Sequence, residues 1–94
     1  MFLHVTNVAY LRDYELRLTF NNGAVKDMDL KGELSGEIFE PLKDVAFFKQ
    51  VQVNPDTETI EWPNGADLAP EFLYEIGQEV EPARRSNSFE LISA

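Results

Sequence analysis

Two stretches of strict alternation joined by a glycine turn set the narrowest limit on how this chain folds. Tyr14, Leu16, Leu18 and Phe20 alternate with Glu15, Arg17 and Thr19, the period-two signature of a strand with one buried face. Ala24–Leu30 alternates too, with Ala24, Met28 and Leu30 on one side and Asp27 and Asp29 on the other. The turn between them follows from this pattern. A two-residue Asn22-Gly23 turn would set Leu18 against Asp27 and Leu16 against Asp29. A three-residue loop, Asn21-Asn22-Gly23, sets Leu16 against Met28, Tyr14 against Leu30 and Arg17 against Asp27. A one-residue slip moves every side chain to the other face, so the apolar pattern selects the longer loop. Gly23 then supplies the left-handed residue that closes it. Lys26 is the misfit on the apolar side; it is expected near an edge, with its stem buried and its amine in water.

The remaining chain reads as short elements. Leu3–Leu11 is β-rich and is expected to form a strand bent near Asn7. Lys31–Gly36 is a connector. Ile38, Phe39 and Leu42 suggest one inward-packing turn, with Pro41 blocking a long helix. Asp44 is placed to cap a short helix over Val45–Lys49 that buries Phe48 and Phe47. Gln50–Asn54 and Thr59–Trp62 form a second hairpin around Pro55-Asp56-Thr57-Glu58. Pairing Asn54 with Thr59 sets Val53 against Ile60 and Val51 against Trp62. Pro63–Gly65 is a turn cluster. Pro70 suits the first residue of a final helix, with Phe72, Leu73 and Ile76 facing the sheet. Asp67 reads as a pre-helix capping residue. After Gly77 the chain turns polar, and Phe89–Ile92 is an apolar scrap within it.

The fold class expected is therefore α+β. A small antiparallel sheet of two hairpin-like units, about five strands, packs with two short helices and is followed by a flexible C-terminal tail. The domain is expected over residues 1–76 and the polar, mobile tail over 77–94. Ninety-four residues suffice for one core and not two.

Composition narrows the chemistry. The chain has no cysteine, which excludes disulfides, thiolate metal sites and a cysteine nucleophile. The start shows neither a basic n-region nor a long apolar run, so no signal peptide is expected. No stretch approaches a membrane span, and a cytoplasmic location is expected. Net charge is −9, with fourteen acids against six Lys and Arg over residues 1–76. Phosphate backbones are bound by concentrated Lys and Arg, so this balance argues against direct nucleic-acid binding. It suits a basic protein partner.

No catalytic set stands out. His4 is the single histidine, so a histidine metal cluster is excluded and a Ser–His–Asp triad would rest on it alone. Ser35, Ser86, Ser88 and Ser93 sit in a connector or the tail, outside any nucleophile-elbow motif. Asp27 and Asp29 share a strand face with Glu15 and Arg17. Two carboxylates there could hold a hard cation, but a solvated face with an Arg17–Asp27 cross-strand pair is the plainer reading. Asp56-Thr57-Glu58 is a turn and lacks the pattern of a calcium loop. Trp62-Pro63-Asn64-Gly65-Ala66-Asp67-Leu68 is the most unusual string. A lone Trp beside a rigid turn serves either as a binding anchor or as a lid over a small core, and the lid is favoured.

At this string the chain resembles the bacterial domain-of-unknown-function family 2442. The resemblance rests on an ordered set covering about residues 3–76. It comprises Tyr14-x-Leu-x-Leu-x-Phe20, the Asn22-Gly23 turn, Met28-Asp29-Leu30, Ile38-Phe39-x-Pro41-Leu42 and Asp44-x-x-Phe47-Phe48. Val51-x-Val53, Ile60-x-Trp62 through Leu68, and Phe72-Leu73-Tyr74-Glu75 complete it. The resemblance implies a small α+β fold and carries over no catalytic residue. Members of the family often lie beside a gene for another small protein, in an arrangement like toxin–antitoxin pairs. Some longer relatives carry a helix-turn-helix after the domain. The segment after Gly77 is too short and too polar for that module, so their DNA-binding role is not carried over.

The functional expectation is a non-enzymatic protein-binding module, antitoxin-like, with a small basic protein as partner. No catalytic residue, metal or cofactor is assigned. The candidate contact residues are Glu15, Asp27, Asp29, Trp62 if exposed, Asn64 and Asp67, with Phe89–Ile92 in the tail. The alternatives are a small carboxylate- or metal-dependent enzyme and a nucleic-acid-associated regulatory protein.

Overall fold

The computed structural model describes residues 2–80. Strand β1 (Val5–Arg12), β2 (Glu15–Phe20) and β3 (Val25–Asp29) form an antiparallel meander, which β6 (Gln78–Glu79) extends in the order β1-β2-β3-β6. Strands β4 (Gln52–Asn54) and β5 (Thr59–Glu61) form a separate two-stranded sheet. Between the sheets in sequence lie 3₁₀ turns at Lys31–Glu33 and Glu37–Lys43 and helix α1 (Val45–Phe48); helix α2 (Pro70–Ile76) follows β5. The fold class is the α+β one expected.

The β2–β3 register is the one selected by the apolar pattern. Leu16 faces Met28 and Arg17 faces Asp27. The Phe20 N–H bonds the Ala24 carbonyl at 2.8 Å around the loop, and Gly23 takes φ 90°. The bend expected near Asn7 is a register shift between Val5 and Asn7. In β4–β5, Val53 faces Ile60 and Asn54 faces Thr59, also as expected.

One core joins the two sheets. Leu16, Leu18, Phe20, Met28 and Leu30 from the meander meet Leu42, Phe48, Ile60, Trp62 and Leu73. Phe48 sits at its centre: Tyr14 and Tyr10 meet it edge-on at 5.3 and 6.3 Å, and Trp62 packs at 5.6 Å. Such aromatic contacts add roughly 0.5–1.5 kcal/mol each beyond the area they bury. The Val5 N–H donates to the Glu58 carbonyl at 3.0 Å, tying the second hairpin's turn to β1.

Asp44 caps α1 as expected, its Oδ1 accepting from the Ala46 N–H at 3.1 Å. A four-residue helix is too short to persist by itself, so the cap and Phe48 hold it jointly. Asp44→Ala is expected to lower unfolding free energy by about 1 kcal/mol. Urea titration followed by circular dichroism measures this, and an unchanged midpoint would contradict it.

Four expectations are corrected. Lys26 does not place its amine in water: Nζ donates to the Tyr74 carbonyl at 2.6 Å and lies 3.7 Å from that ring's centroid. The edge is occupied, because β6 pairs Glu79 with Lys26 and Gln78 with Asp27. Lys26 thus satisfies a carbonyl of the last turn of α2, where the helix dipole favours a cation. Ile38 is exposed rather than packed inward, while Leu42 and Phe39 do pack inward. On α2, Leu73 is buried, and Tyr74 and Ile76 rather than Phe72 pack against the core; the Phe20 and Tyr74 rings meet at 5.0 Å. Asp67 does not cap α2, whose N-cap is Ala69 with Pro70 in the first turn. Residues 77–80, assigned to the tail, form β6 and its flank, with the Val80 N–H on the Val25 carbonyl at 2.9 Å. The tail expected over 81–94, Phe89–Ile92 included, lies outside the described residues.

Candidate functional site

The sequence places its candidate residues in two groups, and the structure keeps them apart. Glu15, Asp27 and Asp29 share the outward face of β2–β3, Glu15 directly opposite Asp29. Each carboxylate is already engaged. Arg17 grips Asp27 with two bonds, Nε to Oδ1 at 2.7 Å and a terminal nitrogen to Oδ2 at 3.0 Å. Arg12 pairs with Glu15 at 2.8 Å. Asp29 Oδ1 accepts from the Lys31 N–H at 2.9 Å. The hydrogen bond to Asp27, and then its charge, raise the Arg17 pKa further above its ordinary value. This is a solvated sheet face with cross-strand ion pairs, whose exposure limits their contribution to stability.

Trp62 is 2% exposed, so it is a lid over the core and not an exposed anchor. Its Nε1–H donates to the Phe48 carbonyl at 2.7 Å, which satisfies the indole in the interior. Asn64 is exposed and holds a turn. Its Oδ1 accepts from the Ala66 N–H at 3.1 Å, and its Nδ2 donates to the Ile38 carbonyl at 2.8 Å.

That turn repeats the one between β2 and β3. Trp62 N–H bonds the Ala66 carbonyl as Phe20 bonds Ala24; Gly65 N–H bonds Trp62 as Gly23 bonds Phe20. In both, the Asn side chain accepts from the following Ala, and the Gly has φ 90°. The shared Asn-Gly-Ala string is a signal in the sequence that the Pro63–Gly65 reading did not use. Its consequence is a pairing one step beyond the loop: Glu61 bridges Asp67, as Thr19 pairs with Val25. Gln52 flanks Glu61 on its other side. Three residues therefore lie in a row, Gln52, Glu61 and Asp67, and two of them are carboxylates.

Beside Glu61 the outer face of the second hairpin forms a cleft of about 580 Å³, lined by Gln50, Gln52, Asn54, Glu61, Trp62 and Pro63, among others. Glu61 is half-buried there and accepts a hydrogen bond from Asn54 Nδ2. No ion pair among the described residues involves Glu61 or Asp67. The charge around this face is one-sided. Gln50–Val80 contains seven Asp and Glu and no Lys, Arg or His, whereas Phe2–Lys49 balances eight acids with six Lys and Arg. Among the described residues, no three His, Cys, Asp or Glu side chains group as a metal site. No helix of the described residues is long and apolar enough to cross a membrane.

Residues 5–79 match the family described as protein of unknown function DUF2442. The chain belongs to this family. The match runs through β6, consistent with a folded body that extends past Ile76. The fold is also similar to the crystal structure of a protein from Nitrosomonas europaea named "Putative DNA Binding Protein", with a TM-score of 0.60 and 28% sequence identity. The similarity covers 66% of this chain and 41% of that one. That name runs against the expectation that nucleic acid is disfavoured. A comparison with curated proteins returns no match.

Proposed function

We propose that this DUF2442 domain is a non-enzymatic protein-binding module whose partner presents a basic surface, in the manner of the antitoxin-like half of a two-protein pair. The observation that carries this reading is the one-sided charge of Gln50–Val80, seven acids without a base. The carboxylates of the β2–β3 face contribute less, because Arg12 and Arg17 already neutralise two of them. A field of one sign accelerates encounter with an oppositely charged surface and is screened by salt. With a basic partner in hand, the association rate is expected to fall at least tenfold between 20 and 300 mM salt, on the order seen for electrostatically steered pairs. Stopped-flow or surface-based kinetics measures it, and a salt-insensitive rate would contradict the reading.

A second reading is favoured by the structural neighbour's name. In this reading the domain belongs to a nucleic-acid-associated regulatory protein. The chain matches 41% of that neighbour, and the net charge of −9 makes direct phosphate contact by this domain unfavourable. Here the domain would work by gripping a DNA-bound protein rather than DNA. Gel-shift titration at low salt separates the two: retarded duplex DNA with the chain alone supports direct binding. A carboxylate- or metal-dependent enzyme remains the third reading, tested by a thermal-shift screen across divalent cations.

A further inference from the structure

We propose that the cleft on the outer face of β4–β5 receives an arginine side chain of the basic partner, with Glu61 as its anchor. This rests on the protein-binding reading above and names its contact point. The cleft is built from hydrogen-bond acceptors that lack donors. Asn54 Nδ2 is the one side-chain donor recorded on Glu61 among the described residues, and it bonds Oε1. An ionised carboxylate offers about four acceptor positions, so Oε2 is open to a ligand. The two amides of Asn54 and Gln50 are already directed elsewhere as donors, Asn54 to Glu61 and Gln50 Nε2 to the Ala46 carbonyl at 3.3 Å. Gln50 therefore presents its amide oxygen, and Gln52 is exposed beside it.

The bridge to Asp67 adds a second carboxylate directly across from Glu61. Like charges in that position repel, and a cation between them relieves the repulsion. A divalent metal is the poorer candidate, because hard cations take six or more oxygen ligands and no third acidic side chain groups here among the described residues. A guanidinium is the better one. Its planar fork donates five N–H bonds, suits bidentate capture by a carboxylate, and stacks on flat apolar faces. Pro55 and Pro63 supply such faces at the cleft's edge. Charge complementarity thus selects an arginine-bearing segment of a protein over a neutral or acidic one.

The test is a heteronuclear NMR titration of the full chain with acetyl-Gly-Arg-Gly-amide, and in parallel with the isosteric citrulline peptide, which lacks the charge. The arginine peptide is expected to shift the amide signals of residues 50–55 and 61–67. The citrulline peptide and the E61Q variant should each weaken this at least tenfold, while Asp27→Asn leaves it unchanged. Glu61→Gln keeps the oxygen that accepts from Asn54, so the hairpin stays folded, and its unchanged spectrum away from the cleft verifies this. Shifts confined to the Glu15–Asp27–Asp29 face, or E61Q binding as well as the parent, would overturn the cleft and leave the protein-binding reading standing. Equal binding of both peptides would also overturn it, since charge would then play no part. If a cognate basic partner binds E61Q with parent affinity but loses affinity at high salt, the cleft is overturned and the function is not.

Discussion

Trp62→Ala is expected to abolish cooperative folding. Removing a buried aromatic of this size costs about 3–5 kcal/mol, and small domains have roughly 5–15 kcal/mol in total. The loss is concentrated where the two sheets meet. Trp62 reaches Phe48 from β5, and Phe48 in turn carries Tyr10 and Tyr14 of the meander. Trp62→Phe isolates the polar share of this effect. The Phe48 carbonyl would lose the indole bond at 2.7 Å and keep the weaker one from the Val51 N–H at 3.3 Å. Because that carbonyl is not wholly abandoned, the hydrogen-bond share should lie near the low end of the range for such losses, about 1 kcal/mol. Urea unfolding followed by circular dichroism reads both variants, since fluorescence vanishes with the single Trp. A Trp62→Ala midpoint within about 1 kcal/mol of the parent would contradict the placement of Trp62 as the piece that closes the core.

Gly77→Ala should detach the last strand. The φ of Gly77 is −75°, which any residue adopts, so the obstacle is steric and not conformational. A Cβ there would stand 2.9 Å from Met28 Cε, 3.0 Å from Lys26 Cβ and 3.1 Å from the Leu73 carbonyl oxygen. The methionine tip can swing away. The other two atoms belong to β3 and to the last turn of α2, so the chain must move instead. Overpacking of this kind costs about 1–3 kcal/mol. Hydrogen exchange should show the loss locally, with the Val80 N–H on Val25 deprotected before the β1–β2 amides. Gly32→Ala is the control, because nothing lies within 4 Å of its added Cβ. Equal exchange at Val80 in the parent and in Gly77→Ala would show that the close approach does not hold β6.

The two hairpin registers were legible because each strand buries one face. A strand with alternating polarity has two choices of register, and one of them sets acids against the core; Leu16 against Met28 and Val53 against Ile60 follow directly. The Asp44 cap was legible for a similar local reason, since the side chain bonds a backbone N–H two residues on. β6 was not legible. Gln78-Glu79 has no alternation or β-branched residue to mark it, and it is a strand because Gly77 lets the chain fall against β3. Lys26 looked like an edge residue for the same reason: its partner, the Tyr74 carbonyl, lies 48 positions away. The Glu61–Asp67 pairing stood partly in view. The Asn-Gly-Ala string repeats in both loops, and carrying the register of the first to the second places the two carboxylates side by side.

What the sequence alone determined about this protein is local and periodic: which face of each strand is apolar, where its loops turn left-handed, and the absence of thiol chemistry. It also determined the charge asymmetry, because Lys and Arg end at Lys49 within the described chain. Tertiary structure alone decided which of these features meet. It buried Trp62 beneath Phe48 and so removed the expected anchor. It neutralised the Asp27 face with Arg17 and left Glu61 in a cleft, accepting one side-chain bond, from Asn54. The physical reason is that periodicity reports burial against an unspecified surface. A carboxylate's availability depends instead on which donors packing brings within hydrogen-bond reach, and those donors come from distant parts of the chain.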